Sequence, residues 1–313
     1  MSLRIPDTIE IACAVEGEAY VRHCAAMLHS LFESNPGQPI RVHYLHGPDT
    51  RNRGRRRLQR MVDELGGEIA FHSIPDSRVQ GLPVKGFTGK ATWYRVFLPE
   101  LVADAARILY VDCDLLVVDS LLPLWQIDLE GNLLGAVTNV LQENDRGRGP
   151  WLGLPSDESY FNAGVLLLDL TAMRADQTSA RVLEHSLTNA DRLREGWRDQ
   201  DALNEVLHDR RLRLHPRWNC MNSVLLFPWA SDMFGEDAVR DARRDPAIRH
   251  FEGPLWNKPW HMLSDDAARR LYTTHRRATP WPWFVPAGLT PRNLVRYAQR
   301  RSRRRAASSP ASA

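Results

Sequence analysis

Cysteine is scarce in this chain: 313 residues hold four, Cys13, Cys24, Cys113 and Cys220. None stands in C-x-x-C spacing, so neither a disulfide framework nor a common zinc pattern is encoded. Three of them sit among apolar neighbours, the ordinary setting of a small buried thiol. Long hydrophobic runs are missing too, and no stretch approaches the ~20 apolar residues of a membrane-spanning helix. The early run Ile9 to Val15 is interrupted by Glu10 and stopped at Glu16. It lacks a basic leader and a small-residue cleavage site, so the sequence predicts no signal peptide and a cytoplasmic protein. No glycine-rich loop follows this first run, which excludes a dinucleotide or P-loop fingerprint. No internal repeat is present. Beyond Asp266 the chain has no acidic residue and no lysine.

That last absence exposes a charge asymmetry hidden in the net charge of +3. Eleven of the 41 basic side chains follow Asp266, all of them arginine. The first 266 residues therefore keep 30 basic against 38 acidic side chains, a net of −8, and the remainder carries +11. A body and tail of opposite sign predict a separate partner for the tail. Hydrophobic residues make up 43%, enough for a sizeable core.

The pattern along the body alternates between strand and helix. Ile9–Val15, Ile40–Leu45 and Glu68–His72 read as strands. Between them, Ala19–Glu33 and Arg53–Leu65 carry apolar residues at helical spacing. Asn35-Pro36-Gly37 and Gly66-Gly67 stop these helices. Such alternation predicts a parallel sheet built from right-handed crossovers. Further on, Gly89–Leu98 and Asp199–Leu207 read as helices, and Ile108–Val111, Leu115–Val118, Leu133–Val137 and Tyr160–Leu168 as strands. Trp218-Asn219 opens an irregular stretch, and His250 to His261 reads as an ordered loop rich in Gly, Pro and Trp.

The chemistry concentrates at Asp112-Cys113-Asp114, directly after four apolar residues. Side chains two apart on an extended chain project to the same side. The two carboxylates are thus expected to emerge together at the carboxyl edge of a buried strand, where open parallel sheets bind ligands. Two like charges so close call for a cation. Hard oxygen ligands suit Mg²⁺ or Mn²⁺, and an imidazole from His250 favours Mn²⁺. Such an ion holds a diphosphate and offsets its charge as it departs. An isolated D-x-D also fits a solvated surface turn. The second segment, His250-Phe251-Glu252-Gly253-Pro254 running on to Lys258-Pro259-Trp260, tips the balance. It offers the imidazole, and in Lys258 a partner for a phosphate oxygen.

Five segments in order resemble family 8 of the glycosyltransferases, the group of glycogenin and the bacterial lipopolysaccharide galactosyl- and glucosyltransferases. They are Tyr94-Arg95, Leu109-Tyr110-Val111-Asp112-Cys113-Asp114, Phe161-Asn162-Ala163-Gly164-Val165, Asp199-Gln200-Asp201-Ala202-Leu203-Asn204, and His250-Phe251-x-Gly253 with Lys258-Pro259-Trp260. The match runs from Ile9 to about His261 and is nearest to the lipooligosaccharide galactosyltransferase type. The resemblance implies an α/β fold of GT-A type, with a mostly parallel central sheet flanked by helices. It implies a catalytic domain over 1–278, a basic tail over 279–313, a UDP-sugar donor, Mn²⁺, and retention of anomeric configuration. By the same likeness Asp112, Asp114 and His250 are the metal ligands, and the two aspartates also touch the donor. Arg95 binds the donor, and Asn162, Ala163 and Gly164 line the sugar pocket. Asp199 bonds a sugar hydroxyl, Gln200 sits near the anomeric carbon, and Gly253 and Lys258 hold the diphosphate.

Three departures stand out. Asn139 occupies the place where relatives carry an aspartate that contacts the sugar. The first strand ends at Glu16 and Glu18, where relatives favour Asp and Asn for uracil and ribose. Leu255-Trp256-Asn257 adds length before Lys258. The acceptor is expected to be a glycan, a lipid-linked glycan, a protein or a small molecule. In the tail, Trp281 to Pro286 is aromatic, and Thr290-Pro291-Arg292 opens a helix with Leu294, Val295 and Ala298 on one side and seven arginines between Arg292 and Arg305. That composition fits an interfacial anchor on an anionic membrane, the cytosolic face of the cell membrane, better than a nucleic-acid module. Two competing functions remain at this level: a nucleotidyltransferase, and a non-catalytic carbohydrate-binding protein on the same fold.

Overall fold

The computed structural model describes residues 8–84, 89–283 and 285–308, with the side chains of 300–308 excepted. Phe284 of the aromatic tail segment and the last five residues lie outside them. Seven strands form one sheet in the order β3-β2-β1-β4-β7-β6-β8. They are β1 (Ile9–Val15), β2 (Ile40–His46), β3 (Glu68–Ser73), β4 (Arg107–Val111), β6 (Leu134–Thr138), β7 (Phe161–Asp169) and β8 (Arg211–Arg213). A separate antiparallel pair joins β5 (Leu115–Val117) to β9 (Ile248–His250). Neighbours pair in parallel except across β7, which runs antiparallel to both β4 and β6.

The alternation of strand side chains divides the interior into two layers. Ile9, Ile11, Cys13 and Val15 of β1 join Val42, Tyr44, Leu109, Val111, Val165 and Leu167 on one face. Against them pack α1 (Glu18–Glu33) through Val21, Cys24, Leu28 and Leu31, and α2 (Asn52–Glu64) through Leu58, Met61 and Val62. On the other face Ala12, Leu45, Ile108, Tyr110, Leu166 and Leu168 meet residues 91–102 and α3 (Asp199–Leu207). A sheet covered on both faces reads as near-continuous apolar strands, which is why Ile108–Val111 and Phe161–Leu168 contain no charge. Each fully buried Leu of these faces is worth about 1.5–3 kcal/mol.

Three local expectations change. The Gly89–Leu98 segment is three short helical pieces, Ala91–Tyr94, Arg95–Phe97 and Leu98–Leu101, rather than one helix. Pro99 does not end it; it lies in the first turn of the last piece, where a missing N–H costs nothing. The strand after Tyr160 is antiparallel, so its beginning rather than its end lies at the carboxyl edge of β4. Asp112-Cys113-Asp114 is a turn, not an extension of β4, because the chain leaves the large sheet there to form β5.

Beyond the sheets, α4 (Asp266–Arg277) packs on α1. Residues 279–283 and 285–290 run back along the body. Ala287 bonds the backbones of Trp260 and Met262, and the buried Arg276 donates to the carbonyls of Trp281 and Trp283. A final helix, α5, spans Pro291–Ser308. No helix among the described residues is long and apolar enough to cross a membrane.

Candidate active site

Two strand pairings bring the cluster together. Val111 pairs with Val165, which sets the start of β7 beside the end of β4, and Asp112 N–H donates to Gly164 O at 2.8 Å. Leu115 pairs with His250, which sets that imidazole beside Asp114. One ligand atom from each of Asp112, Asp114 and His250 falls within 4.8 Å of the others. The turn, rather than an extended segment, makes the carboxylates converge, and Cys113 between them points into the core near Cys13 and Cys24.

The imidazole is held by a relay of amides. Asn162 Nδ2 donates to Asn139 Oδ1 at 3.1 Å, and Asn219 Nδ2 donates to Asn162 Oδ1 at 2.8 Å. Asn219 Oδ1 is then the acceptor facing His250 Nδ1 at 2.8 Å. The other ring nitrogen, Nε2, stands 3.2 Å from Asp114 Oδ1. The three ligand atoms lie close enough to one another to share a single ion. A ligating histidine oriented through its other nitrogen is the usual outer support of a metal site. The donor set of two carboxylates and one imidazole fits a divalent cation such as Mn²⁺ or Mg²⁺.

Basic side chains offset most of the acids. Lys258 reaches both Asp114 Oδ2 and the Phe251 carbonyl. Burial pushes the Asp114 carboxyl up, but Lys258 and His250 outweigh it and hold the group well below the usual carboxylate range. Arg95 is buried over the Tyr110 ring, 4.3 Å from its centroid. Its guanidinium lies 3.2 Å from Asp112 and 3.6 Å from Asp199, and it also bonds the Ala163 carbonyl. Burial raises the Asp199 carboxyl against the opposing pull of Arg95.

The Asp199–Asn204 segment divides its labour by helical spacing. Asp201 takes Arg148, the Tyr160 hydroxyl at 2.6 Å and Trp197 N–H at 2.7 Å, while Asn204 pairs with both backbone groups of Phe161. These anchors aim Asp199 and Gln200 at the cleft. Gln200 Oε1 accepts from Ala163 N–H at 3.0 Å and from Asn162 at 3.3 Å, and its amide donates to Tyr160. Arg198, just before the helix, holds φ 49°, a strained value for a non-glycine residue of the kind that clusters at functional sites. At Gly164 only glycine fits. A Cβ there would stand 2.4 Å from His250 Cε1 and 2.9 Å from Asp112 Oδ2.

The remaining sequence candidates have other surroundings. Glu16 Oε2 accepts from Lys90 and Ala91 N–H at 2.9 and 3.3 Å, capping the segment that leads to Arg95, and burial raises its carboxyl. Glu18 faces Gly54 of α2 and leaves one buried oxygen without a partner. Neither shares a hydrogen bond with Asp112, Asp114 or His250 among the described residues. Gly253 adopts φ +90° in the turn after β9, and Leu255–Asn257 forms a single helical turn with Trp256 exposed. Sequence reading missed Asn219 as a site residue. Only the pairing of Cys220 with Arg249 brings it to His250, and the sole local signal was the irregular stretch it opens. A groove of about 1060 Å³, lined by residues of the 256–271 segment and α5 together with Asn222, Leu225 and Arg249, includes none of the three candidate ligands, and we place the chemistry at the triad.

Residues 11–264 match the model of glycosyl transferase family 8. The chain belongs to that family. It is 27% identical over 278 residues to general stress protein A of Bacillus subtilis, covering 87% of this chain and 93% of the relative. It is 22% identical over 296 residues to the lipopolysaccharide 1,3-galactosyltransferase of Salmonella typhimurium, covering 93% and 85%. Among solved structures it matches the galactosyltransferase LgtC in complex with donor and acceptor sugar analogs. That match has a TM-score of 0.76 and 28% identity, and covers 89% of this chain and 98% of LgtC. The mostly parallel sheet flanked by helices is the GT-A type architecture of that structure.

Proposed function

We propose that this family 8 glycosyltransferase is a retaining, metal-dependent hexosyltransferase. It moves galactose or glucose from a UDP-sugar to a glycan, a lipid-linked glycan or a small-molecule acceptor. The observation that carries the metal dependence is the convergence of one ligand atom each from Asp112, Asp114 and His250 within 4.8 Å, with the imidazole oriented from its far side by Asn219. The galactosyltransferase relatives support the sugar class. Asp112, Asp114 and His250 would hold Mn²⁺ or Mg²⁺, which when bound would offset the charge of the departing diphosphate.

The chain's own residues supply the rest. Lys258 is within reach of a phosphate oxygen and exchanges its Asp114 contact for it. Arg95 holds Asp112 in place and turns the remainder of its charge toward the donor. Asn162, Ala163 and Gly164 form the floor of the sugar pocket, and Asp199 offers a carboxylate to a sugar hydroxyl. The Gln200 amide oxygen is committed to Ala163 and Asn162, so it is a poor nucleophile and serves to hold the pocket's shape. The acceptor hydroxyl then attacks the face that UDP vacates, through an oxocarbenium-like transition state stabilised by electrostatics. At the tail, Trp283, Val285, Leu289, Leu294 and Val295 are exposed beside the arginines. This pattern supports attachment of the enzyme to an anionic membrane surface.

UDP release measured across several UDP-sugars, with and without Mn²⁺, tests the proposal. Asp112→Asn and Asp114→Asn are each expected to abolish metal-stimulated turnover. Full activity of either variant without added metal refutes the metal reading, and an inverted anomeric product by NMR refutes retention.

A further inference from the structure

A second group of ligating side chains lies away from the cleft, where α4 crosses α1. His29 and Glu33 are one turn apart on α1 and so share a face. His275 reaches them from the last turn of α4. His29 Nδ1 and His275 Nδ1 are 3.2 Å apart. The same Glu33 Oε2 stands 3.0 Å from His275 Nδ1 and 3.7 Å from His29 Nδ1. Three acceptor atoms thus converge on one point, and a proton can bridge only two of them at a time.

The triangle has the size of a metal's coordination sphere. Zinc binds nitrogen and oxygen at about 2.0–2.2 Å, so two ligands of a tetrahedral ion are separated by roughly 3.3–3.4 Å. The edges here average close to that value. The imidazoles are largely buried, 15% and 9% exposed, while Glu33 is 57% exposed. That leaves the fourth position open to solvent, with an entry path for the ion. A set of two imidazoles and one carboxylate suits zinc or a neighbouring transition metal rather than the harder Mg²⁺.

We propose that His29, Glu33 and His275 form a second, structural site for a divalent transition metal, filled by Zn²⁺ and independent of the catalytic triad. The ion clamps α4 to α1. That interface also supports the cleft. Roughly 9 Å along α1 from His29, His23 stacks on Trp260 with ring centroids 3.7 Å apart and meets the Tyr272 hydroxyl of α4 at 2.6 Å. Trp260 lies two residues after Lys258. Fixing the helix pair therefore steadies the segment that carries Lys258.

The test is Zn²⁺ stoichiometry by competition with a chromophoric chelator on the full chain, with thermal melts alongside. Wild-type protein is expected to bind two equivalents. The Asp112→Asn/Asp114→Asn double variant should keep one, with the melting temperature still raised by Zn²⁺. Adding Glu33→Gln or His29→Gln to it should weaken that equivalent at least 100-fold and remove the thermal shift. In the otherwise wild-type chain either substitution should leave one equivalent. Glu33 is exposed enough for its variant to fold. The proposal is overturned if the double variant binds no Zn²⁺ at micromolar affinity. It is equally overturned if Glu33→Gln and His29→Gln both retain two equivalents in the wild-type background.

Discussion

Gly164→Ala is the most discriminating perturbation of the cleft. Gly164 is not one of the chain's positive-φ glycines, so alanine meets no backbone penalty. The whole effect comes from what the methyl touches. Its Cβ would lie 2.4 Å from His250 Cε1, 2.9 Å from Asp112 Oδ2 and 3.0 Å from Asn162 Oδ1. Ordinary carbon contacts begin near ~3.5 Å, so the imidazole must retreat by about 1 Å. Its retreat is opposed by Asn219, which fixes the far side of the ring. Overpacking of this kind costs about 1–3 kcal/mol, which in a chain of this size lowers the melting temperature by roughly 1.5–5 °C. The functional cost is larger, because a displacement of about 1 Å at reacting groups is worth on the order of 100-fold in rate. Metal affinity should fall about 10- to 100-fold as His250 loses its position. The assay is UDP release as a function of Mn²⁺ concentration, with circular dichroism to confirm folding. Gly135→Ala is the control. The nearest atoms to its Cβ would be in the Leu129 and Leu214 side chains at 3.1–3.3 Å, so it should lose stability and keep metal affinity. A folded Gly164→Ala protein with metal affinity and turnover within about 3-fold of wild type would refute the reasoning.

Other outcomes follow from the same geometry. Asn219→Ala removes the acceptor that fixes His250 Nδ1 and should weaken metal binding about 10- to 100-fold, with turnover restored by excess Mn²⁺; loss that excess metal does not restore contradicts a positioning role. Lys258→Met should raise KM for the UDP-sugar and lower kcat, because a phosphate contact is lost together with the counter-charge of Asp114; unchanged steady-state kinetics count against it. Asn139→Asp keeps the acceptor that Asn162 needs, so metal affinity should stay within about 3-fold while the ratio of UDP-galactose to UDP-glucose turnover shifts; a loss of metal binding contradicts the relay. Truncation after Thr290 should abolish sedimentation with anionic liposomes and leave turnover on a soluble acceptor intact. A cut at 280 is the wrong test, since it also removes the Trp281 and Trp283 carbonyls that hold Arg276 and the Ala287 pairing.

Much of the cleft was legible because its residues belong to short, strongly patterned segments. Four apolar residues before Asp112 announce a buried strand, and the Asp199–Asn204 spacing announces a helix start. What was not legible lies in pairings between distant segments. The reversal of β7 cannot be read from Phe161–Leu168, because a strand buried on both faces has the same composition in either direction. The turn at Asp112–Asp114 follows from β5 pairing with β9, more than a hundred residues away. Asn219 carries no local mark beyond the irregular stretch it opens, and Glu16 carries the charge expected of a ligand contact while its oxygen serves a backbone cap.

The charges of the cleft suggest an order of events. Asp112, Asp114 and Asp199 face Arg95 and Lys258, leaving one carboxylate uncompensated. A sugar-linked diphosphate carries about two negative charges, and Coulomb repulsion in a partly buried cleft is several-fold stronger than in water. Entering alone, the diphosphate would meet this excess and compete with Asp114 for Lys258. On the proposed metal-dependent reading, Asp112, Asp114 and His250 would hold a divalent cation that offsets this excess, and Lys258 would then be free to leave Asp114 for the diphosphate. On that reading metal binding and donor binding would be coupled through Lys258, and the pairing between Lys258 and Asp114 is the contact that would break for the donor to be held.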